Sequence, residues 1–351
     1  MNAKGLDRNS ASHLEGGATQ CRQGSNRQGT CSFQPISKVA GVEAAAVESK
    51  DPVDQGATSF AGSPDGSPGT PHAAYWIEEN WCDQARHALK VVNWLHDEHS
   101  PYQHIQVVDT QVYGRVLVLD GIFQTSERDE YFYHEMLVHP ALCTAPVIER
   151  VLIIGGGDGG TAREVLRHDA VREVVMVEID ERVVSVAQQY LGGIGTAFSD
   201  SRLDLRICDG VQYLRDAPDA SFDVVILDGS DPVGPSVGLF GTEFYRQCQR
   251  VLIADGVLAL QSESFFQTHE LWHDIQRALK EVFAQVDPYL GMVPLYGTGT
   301  WSWTLCSRDL DPLRVIEQRA SAVEEHTRYY HQAIHRAAFA LPNELRVNGT
   351  T

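Results

Sequence analysis

Carboxylate side chains follow five consecutive apolar segments of the chain, each at the point where a strand is expected to end. They are Asp158, Glu178 and Asp180, Asp209, Asp228 and Asp231, and Glu263, which stands beside Gln261. One Asp after a strand is often only the N-cap of the next helix, and Asp209 fits either role equally well. Five strands with an acid at the same end favour a site, because gathered like charges need a compensating cation. The pattern predicts a ligand that carries positive charge.

The first of these acids lies inside a glycine loop, "VLIIGGGDGGTAREVLRH". Gly155, Gly157 and Gly160 fit G-x-G-x-x-G, and Glu178 follows about 20 residues later, as in dinucleotide sites where an acid binds the ribose. Asp158 argues against NAD, since a carboxylate opposes the pyrophosphate that such a loop receives. It would also oppose the carboxylate of S-adenosylmethionine. The loop therefore favours a donor with adenosine, a sulfonium and a bare amine.

A second acidic loop follows the fourth strand and reads "LDGSDPVGPSVGLF". Its glycines and prolines indicate a shaped loop that closes over a site, although a plain surface crossover is the alternative. Asp228 and Asp231 suit a diamine, with one carboxylate holding an ammonium and the other accepting a proton.

The surrounding elements alternate between apolar strands and amphipathic helices. This alternation from residue 128 to 351 predicts a doubly wound α/β domain with a parallel sheet covered on both faces. Residues 72–127 show period-2 stretches with turns at Tyr113-Gly114 and Asp120-Gly121, which predicts a small antiparallel β domain. A helix is expected in "RDEYFYHEMLVHPALC", with Pro140 close to its end.

Composition limits the class of protein. The chain has 28 Lys and Arg against 47 Asp and Glu, a formal charge of −19, which disfavours nucleic acid as a partner. The 7 cysteines lack metal-site spacing and no apolar run is long enough to span a membrane, so we expect a cytoplasmic protein with reduced thiols. Residues 1–71 are predicted to be a disordered extension, with organellar targeting as the alternative.

Several long motifs, in the right order, resemble the spermidine synthase family of polyamine aminopropyltransferases. They are "VLVLDGIFQTSERDEYFYHEMLVHPAL", "VLIIGGGDGGTAREVL", "VVMVEID", "DVVILDGSDPVGPSVGLF" and "YYHQAIHRAAFALP". The resemblance runs from about residue 75 to 345 and implies a Rossmann-like, methyltransferase-type doubly wound sheet, a small N-terminal antiparallel β domain, and a homodimer or homotetramer. It implies aminopropyl transfer from decarboxylated S-adenosylmethionine to putrescine, giving spermidine and methylthioadenosine, with no cofactor and no metal.

The same resemblance assigns site residues. The donor would contact Gln103, His134, Asp158, Glu178, Asp209 and Gly210, with Gly155 and Gly157 in the loop. The acceptor would contact Tyr133, Asp228, Asp231, Gln261 and Tyr296. Asp228 would accept the proton of the attacking amine with help from Tyr133. His134 stands where animal members of the family have Gln, and we expect Trp301 and Trp303 in the core rather than in the site.

Three alternatives stay open. The first is an amine N-methyltransferase on the same scaffold, such as putrescine N-methyltransferase, which typically lacks the Asp in the glycine loop. The second is an inactive homologue, for which decay at Tyr133, Asp228, Asp231 and Tyr296 is expected, yet all four are present. The third is an aminopropyltransferase with another acceptor, cadaverine or spermidine.

Overall fold

The computed structural model describes residues 75–81, 85–230 and 238–346. The extension predicted over residues 1–71 and the predicted site residue Asp231 lie outside these ranges. The described chain forms a five-stranded sheet followed by a seven-stranded sheet with helices on both faces.

The first sheet is antiparallel throughout, and its strands lie in sequence order. They are β1 (Trp76–Trp81), β2 (Ala85–His99), β3 (His104–Thr110), β4 (Gly114–Leu119) and β5 (Ile122–Ser126). The turn predicted at Asp120-Gly121 joins β4 to β5, and both residues have positive φ, 51° and 81°. Such left-handed pairs suit two-residue hairpins, so the turn signal in the sequence identified the hairpin correctly.

The second sheet has the order β11-β12-β10-β9-β6-β7-β8. Its strands are β6 (Arg150–Gly155), β7 (Glu173–Glu178), β8 (Leu203–Ile207), β9 (Phe222–Asp228), β10 (Leu252–Gln261), β11 (Gln285–Gly291) and β12 (Trp301–Ser307). The pairs from β8 to β10 are parallel, whereas β12 is antiparallel to both β10 and β11. The sequence did not indicate β11, because Asp287 and Pro288 interrupt its apolar pattern.

Helices cover both faces of the second sheet. They are α1 (Glu130–Thr144), α2 (Gly160–Leu166), α3 (Glu181–Tyr190), α4 (Gly210–Asp216), α5 (Thr242–Val251), α6 (His269–Lys280), α7 (Glu317–Glu324) and α8 (Gln332–Ala338). Pro140 lies inside α1 rather than near its end. Proline removes the N–H that would bind the carbonyl of Met136, and the Tyr289 hydroxyl donates to that carbonyl instead, at 2.8 Å. The helix therefore continues for another turn.

Alternation along the central strands divides the core into two layers, as the doubly wound prediction requires. Val151 and Ile153 face one buried cluster with α1, and Leu152 and Ile154 face another with α5 and α6. Among the described residues, none of the helices combines the length and apolar character needed to cross a membrane.

One contact and the strand order of the second sheet define a crevice. The first sheet packs on α3 through Ile105, Val107 and Leu117. In the second sheet, β6 lies beside β9, with β7 and β8 on one side and β10 on the other. This is the point where the strand order reverses, and open α/β sheets bind ligands in the crevice at the carboxyl ends of such strands.

Candidate active site

A cavity opens at the carboxyl ends of β6, β7 and β9 and is closed on one side by the first sheet. The residues that the family resemblance assigned to the site line it wherever the structure describes them, whereas the strand-end acids Asp180 and Glu263 do not. The lining includes Gln103, Tyr133, His134, Gly155, Gly157, Asp158, Glu178, Asp209, Gly210, Asp228, Gln261 and Tyr296. Residues separated by up to about half of the chain therefore meet in one site, as the strand-end pattern predicted.

The glycine loop brings the first and fourth strand ends together. Gly155 has φ 86°, and a Cβ there would lie 2.2 Å from the carbonyl oxygen of Asp228, so only glycine fits. The N–H of Gly156 donates to that same carbonyl at 2.9 Å. The Asp158 carboxylate accepts from the N–H of Gly160 at 2.8 Å. Asp158 and Asp228 are thus held side by side by the backbone.

A buried ion network fixes Asp158 from the other side. His134 lies with Nε2 3.3 Å from the Asp158 carboxylate and Nδ1 2.6 Å from the Glu130 carboxylate. Arg163 donates to the same Glu130 oxygen at 2.7 Å. Burial raises the pKa of Asp158, but the charge of His134 and its hydrogen bonds outweigh that effect and leave the pKa below its ordinary value. Asp158 is therefore an anion at neutral pH.

Asp228 has a different environment. The Tyr133 hydroxyl donates to its carboxylate at 2.8 Å. Burial and the neighbouring Asp158 charge raise the pKa of Asp228 above its usual range, although His134 opposes them. Burial beside Asp228 also raises the pKa of Tyr133, which stays a hydroxyl donor. A carboxylate with a raised pKa and an oriented donor is suited to accept a proton.

One side-chain N or O atom each of His134, Asp158 and Asp228 lies within 4.8 Å of the other two. Because the ring nitrogens of His134 face the carboxylates of Glu130 and Asp158, the three groups form one charged cluster. The absence of a metal, expected from the sequence, stays a prediction.

The second and third strand ends carry acids with two kinds of role. Glu178 faces the cavity, and burial raises its pKa to about 7. Asp180 instead caps α3 and accepts from the Gln103 amide at 2.9 Å. Asp209 both caps α4, accepting from the N–H of Val211 at 2.8 Å, and lines the cavity. The two roles considered for Asp209 are therefore compatible.

The fifth strand end supplies an amide and the loop before β12 supplies a phenol. Gln261 donates from Nε2 to the Gly229 carbonyl at 3.3 Å and to the Glu263 carboxylate at 3.2 Å. The Tyr296 hydroxyl donates to the Gln124 carbonyl at 2.9 Å. These contacts fix two further polar groups in the wall of the cavity.

The two tryptophans of β12 separate in role. Trp303 is fully buried, with its ring 5.9 Å from that of Tyr133, as expected for a core residue. Trp301 is also buried, but it lines the cavity as well. For Trp301 the expectation of a core residue was incomplete.

Sequence reasoning missed Glu79, Trp81 and Glu130. Glu79 and Trp81 line the cavity from β1. The alternation of "WIEENW" places both on the face of buried Ile77, and an acid in that apolar register was the available signal. For Glu130 the signal was its spacing of four residues from His134, which puts both on one face of a helix.

Two family domains match the chain. Residues 75–127 match the spermidine synthase tetramerisation domain, and residues 130–314 match the spermine/spermidine synthase domain.

Similar proteins cover the same region. The polyamine aminopropyltransferase of Moorella thermoacetica is 45% identical over 267 residues, which is 76% of this chain and 93% of the relative. The polyamine aminopropyltransferase of Prochlorococcus marinus strain MIT 9313 is 46% identical over 250 residues, which is 71% of this chain and 87% of the relative. A spermidine synthase solved with the transition state analogue AdoDATO superimposes with TM-score 0.76 at 35% identity, covering 78% of this chain and 94% of that one. The Thermotoga maritima spermidine synthase gives TM-score 0.74, also at 35% identity, with the same coverage.

Proposed function

The chain belongs to the spermidine synthase family of polyamine aminopropyltransferases, and from this transferase activity we propose a specific reaction. The aminopropyl group of decarboxylated S-adenosylmethionine is transferred to putrescine, giving spermidine and methylthioadenosine. The donor is bound by Asp158, His134, Glu178, Gln103, Asp209, Gly210 and the loop glycines. The acceptor is bound by Tyr133, Asp228, Asp231, Gln261 and Tyr296.

The charge of the cavity is the observation that carries this proposal. Its described lining includes five carboxylates, those of Glu79, Asp158, Glu178, Asp209 and Asp228, against one imidazole, and neither Lys nor Arg. A strongly anionic enclosure favours ligands with several positive charges. Decarboxylated S-adenosylmethionine carries a sulfonium and an ammonium, and putrescine carries two ammonium groups.

Asp158 distinguishes this donor from ordinary S-adenosylmethionine. The ordinary donor has a carboxylate on the carbon that bears its amine, and Asp158 and Asp228 within the 4.8 Å cluster would repel it. The decarboxylated donor presents only the ammonium, which both acids attract. An N-methyltransferase would need the opposite electrostatics at this position.

The acceptor amine must lose a proton before it can attack. An alkyl ammonium has a pKa near ~10.4, so it enters the cavity charged. Asp228 takes one proton, and the freed nitrogen lone pair forms a bond to the methylene carbon next to the sulfonium. The carbon–sulfur bond breaks with its electron pair going to sulfur. The new secondary amine is left as an ammonium, methylthioadenosine leaves neutral, and Asp228 returns its proton to solvent.

A product analysis tests the proposed function. The purified protein is incubated with decarboxylated or ordinary S-adenosylmethionine, each with putrescine, cadaverine or spermidine, and products are identified by mass. We expect spermidine and methylthioadenosine from the decarboxylated donor with putrescine. A methylated amine, or no product with either donor, would contradict the proposal. Faster aminopropyl transfer to cadaverine or spermidine than to putrescine would identify that amine as the acceptor instead.

The match to a tetramerisation domain indicates assembly, and we propose a homodimer or homotetramer built through the first sheet. Tyr75, Trp76, Val92 and Trp94 near or on β1 and β2 are each about half exposed, from 48% to 62%. Exposed apolar side chains of this kind, grouped on one sheet, mark interfaces between proteins. Light scattering of the purified protein should give two or four chain masses. The domain limits 1–71, 72–127 and 128–351 remain proposals.

A further inference from the structure

His134 lies between two carboxylates in a way that fixes its charge. Its Nδ1 is 2.6 Å from Glu130 Oε2, its Nε2 is 3.3 Å from Asp158 Oδ2, and its side chain is only 2% exposed. A neutral imidazole has one N–H for two carboxylates, whereas an imidazolium presents an N–H to both. The position of the ring between Glu130 and Asp158, at ion-pair distance from each, therefore favours the imidazolium form of His134.

The groups around His134 support this charge. Those that face it are Asp129 and Glu130 at the start of α1, Asp158 in the glycine loop, Arg163 on α2 and Asp228 at the end of β9. Four carboxylates thus oppose one guanidinium. Burial lowers the pKa of His134, but Asp158 and Glu130 outweigh it and raise the pKa well above its ordinary value.

The ring has little room to move away from Asp158. It packs against the first residue of α2, where a Cβ added to Gly160 would lie 2.3 Å from the imidazole Cε1. A cation that enters the cavity to bind Asp158 therefore meets the imidazolium at close range. The two positive charges repel, and the ring can relieve the repulsion by giving up a proton.

We propose that the His134 imidazolium pairs with Asp158 until the donor's ammonium binds there, and that the Nε2 proton of His134 leaves to solvent when the donor binds. This inference rests on the proposed function, since it needs a donor with an ammonium. The neutral ring keeps Nδ1–H on Glu130, so Nε2 becomes an acceptor for the incoming ammonium. Glu130, held by Arg163, is a positioning residue that selects this tautomer.

Proton release measured by calorimetry tests the inference on the full chain. Binding heats are recorded at about pH 8 in two buffers of different ionisation enthalpy, where Glu178, with its pKa of about 7, is already ionised. Decarboxylated S-adenosylmethionine should release close to one proton. Methylthioadenosine lacks the aminopropyl arm and should release close to none.

The outcomes separate the two proposals. The proposed exchange of the His134 proton for the donor's ammonium would be overturned by either of two results. The decarboxylated donor could bind with no buffer-dependent heat, or it could release no more protons than methylthioadenosine does. Failure of this donor to bind at all would contradict the proposed function, and this inference with it.

Variants identify the source of the proton. His134→Gln is neutral and keeps an amide donor, so the release should be lost. Release that persists in this variant would mean that another group, Asp228 or the donor itself, loses the proton, which would overturn the inference. Glu130→Gln should reduce the release. Glu164→Gln is the matched control, because Glu164 also pairs with Arg163, at 2.7 Å, and has no contact with His134 among its described ones. Loss of release there too would overturn the role of Glu130.

Discussion

Asp158 and Asp228 are the same residue type, at the ends of adjacent strands β6 and β9, yet their carboxyl groups have opposite tendencies. The pKa of Asp158 is lowered because His134 and the Gly160 N–H outweigh burial. The pKa of Asp228 is raised because burial and the Asp158 charge dominate. When neighbouring groups shift the pKa values of two nearby acids in opposite directions, one site can supply both a fixed anion and a base.

The difference comes from the elements that reach each acid. Asp158 receives an imidazolium from α1 and a backbone N–H from α2, and both favour the anion. Asp228 receives the Tyr133 hydroxyl from α1. One turn of α1 therefore serves both acids, with Tyr133 on the proton-accepting side and His134 on the ammonium-binding side.

Removing the base should give the largest effect. We expect Asp228→Asn to lower kcat at least about 100-fold, since a general base contributes that much or more and an amide cannot accept the acceptor's proton. The measurement is steady-state turnover of the purified variant with putrescine and decarboxylated S-adenosylmethionine.

Tyr133→Phe is the matched control for that variant, because it keeps the Asp228 carboxylate and removes only the hydrogen bond of 2.8 Å. Its loss of kcat should be smaller. Near-normal turnover of Asp228→Asn would show that Asp228 is not the base. Asp158 and Asp228 would then differ only in how they bind the substrates.

Removing the fixed anion should affect donor choice more than turnover. Asp158→Ile removes the partner of a buried ammonium, a loss of about 2–5 kcal/mol, so kcat/KM for the decarboxylated donor should fall about 30-fold or more. Binding of ordinary S-adenosylmethionine should improve, because the repulsion of its carboxylate is weaker. Kd values for both donors and their ratio provide the measurement. Asp158→Asn keeps the side-chain shape as a control, and an unchanged preference in Asp158→Ile would refute the role in selection.

The sequence predicted the position of these acids better than their behaviour. The carboxylates at five strand ends, together with the glycine loop after the first of these strands, were enough to place Asp158 and Asp228 in one cavity. Both pKa values depend on His134 from α1, and that of Asp158 depends also on Arg163 from α2. Glu130 pairs with both His134 and Arg163. That network follows from tertiary packing, and the sequence alone offered only the i, i+4 spacing of Glu130 and His134.

The first sheet shows a similar limit. Its strands and its turn at Asp120-Gly121 followed from local patterns, because hairpin signals act over a few residues. The contribution of Glu79 and Trp81 to the cavity depends on how β1 docks against the second sheet, which local patterns do not encode. Strand β11 was missed for a local reason, because Asp287 and Pro288 interrupt its apolar pattern.

Glu178 offers a smaller and more graded test of how burial tunes an acid in this cavity. Its pKa of about 7 means that the carboxylate form falls from about nine-tenths to about one-tenth between pH 8 and pH 6. If the carboxylate accepts the ribose hydroxyls, the Kd of methylthioadenosine should rise about 10-fold over that interval. Methylthioadenosine is the appropriate probe because it has no ammonium and does not report on Asp158 or His134. Glu178→Gln should bind it more weakly but with a flat profile from pH 6 to 8. A flat profile in the unmodified protein would show that Glu178, unlike Asp158 and Asp228, does not depend on its charge to bind the donor.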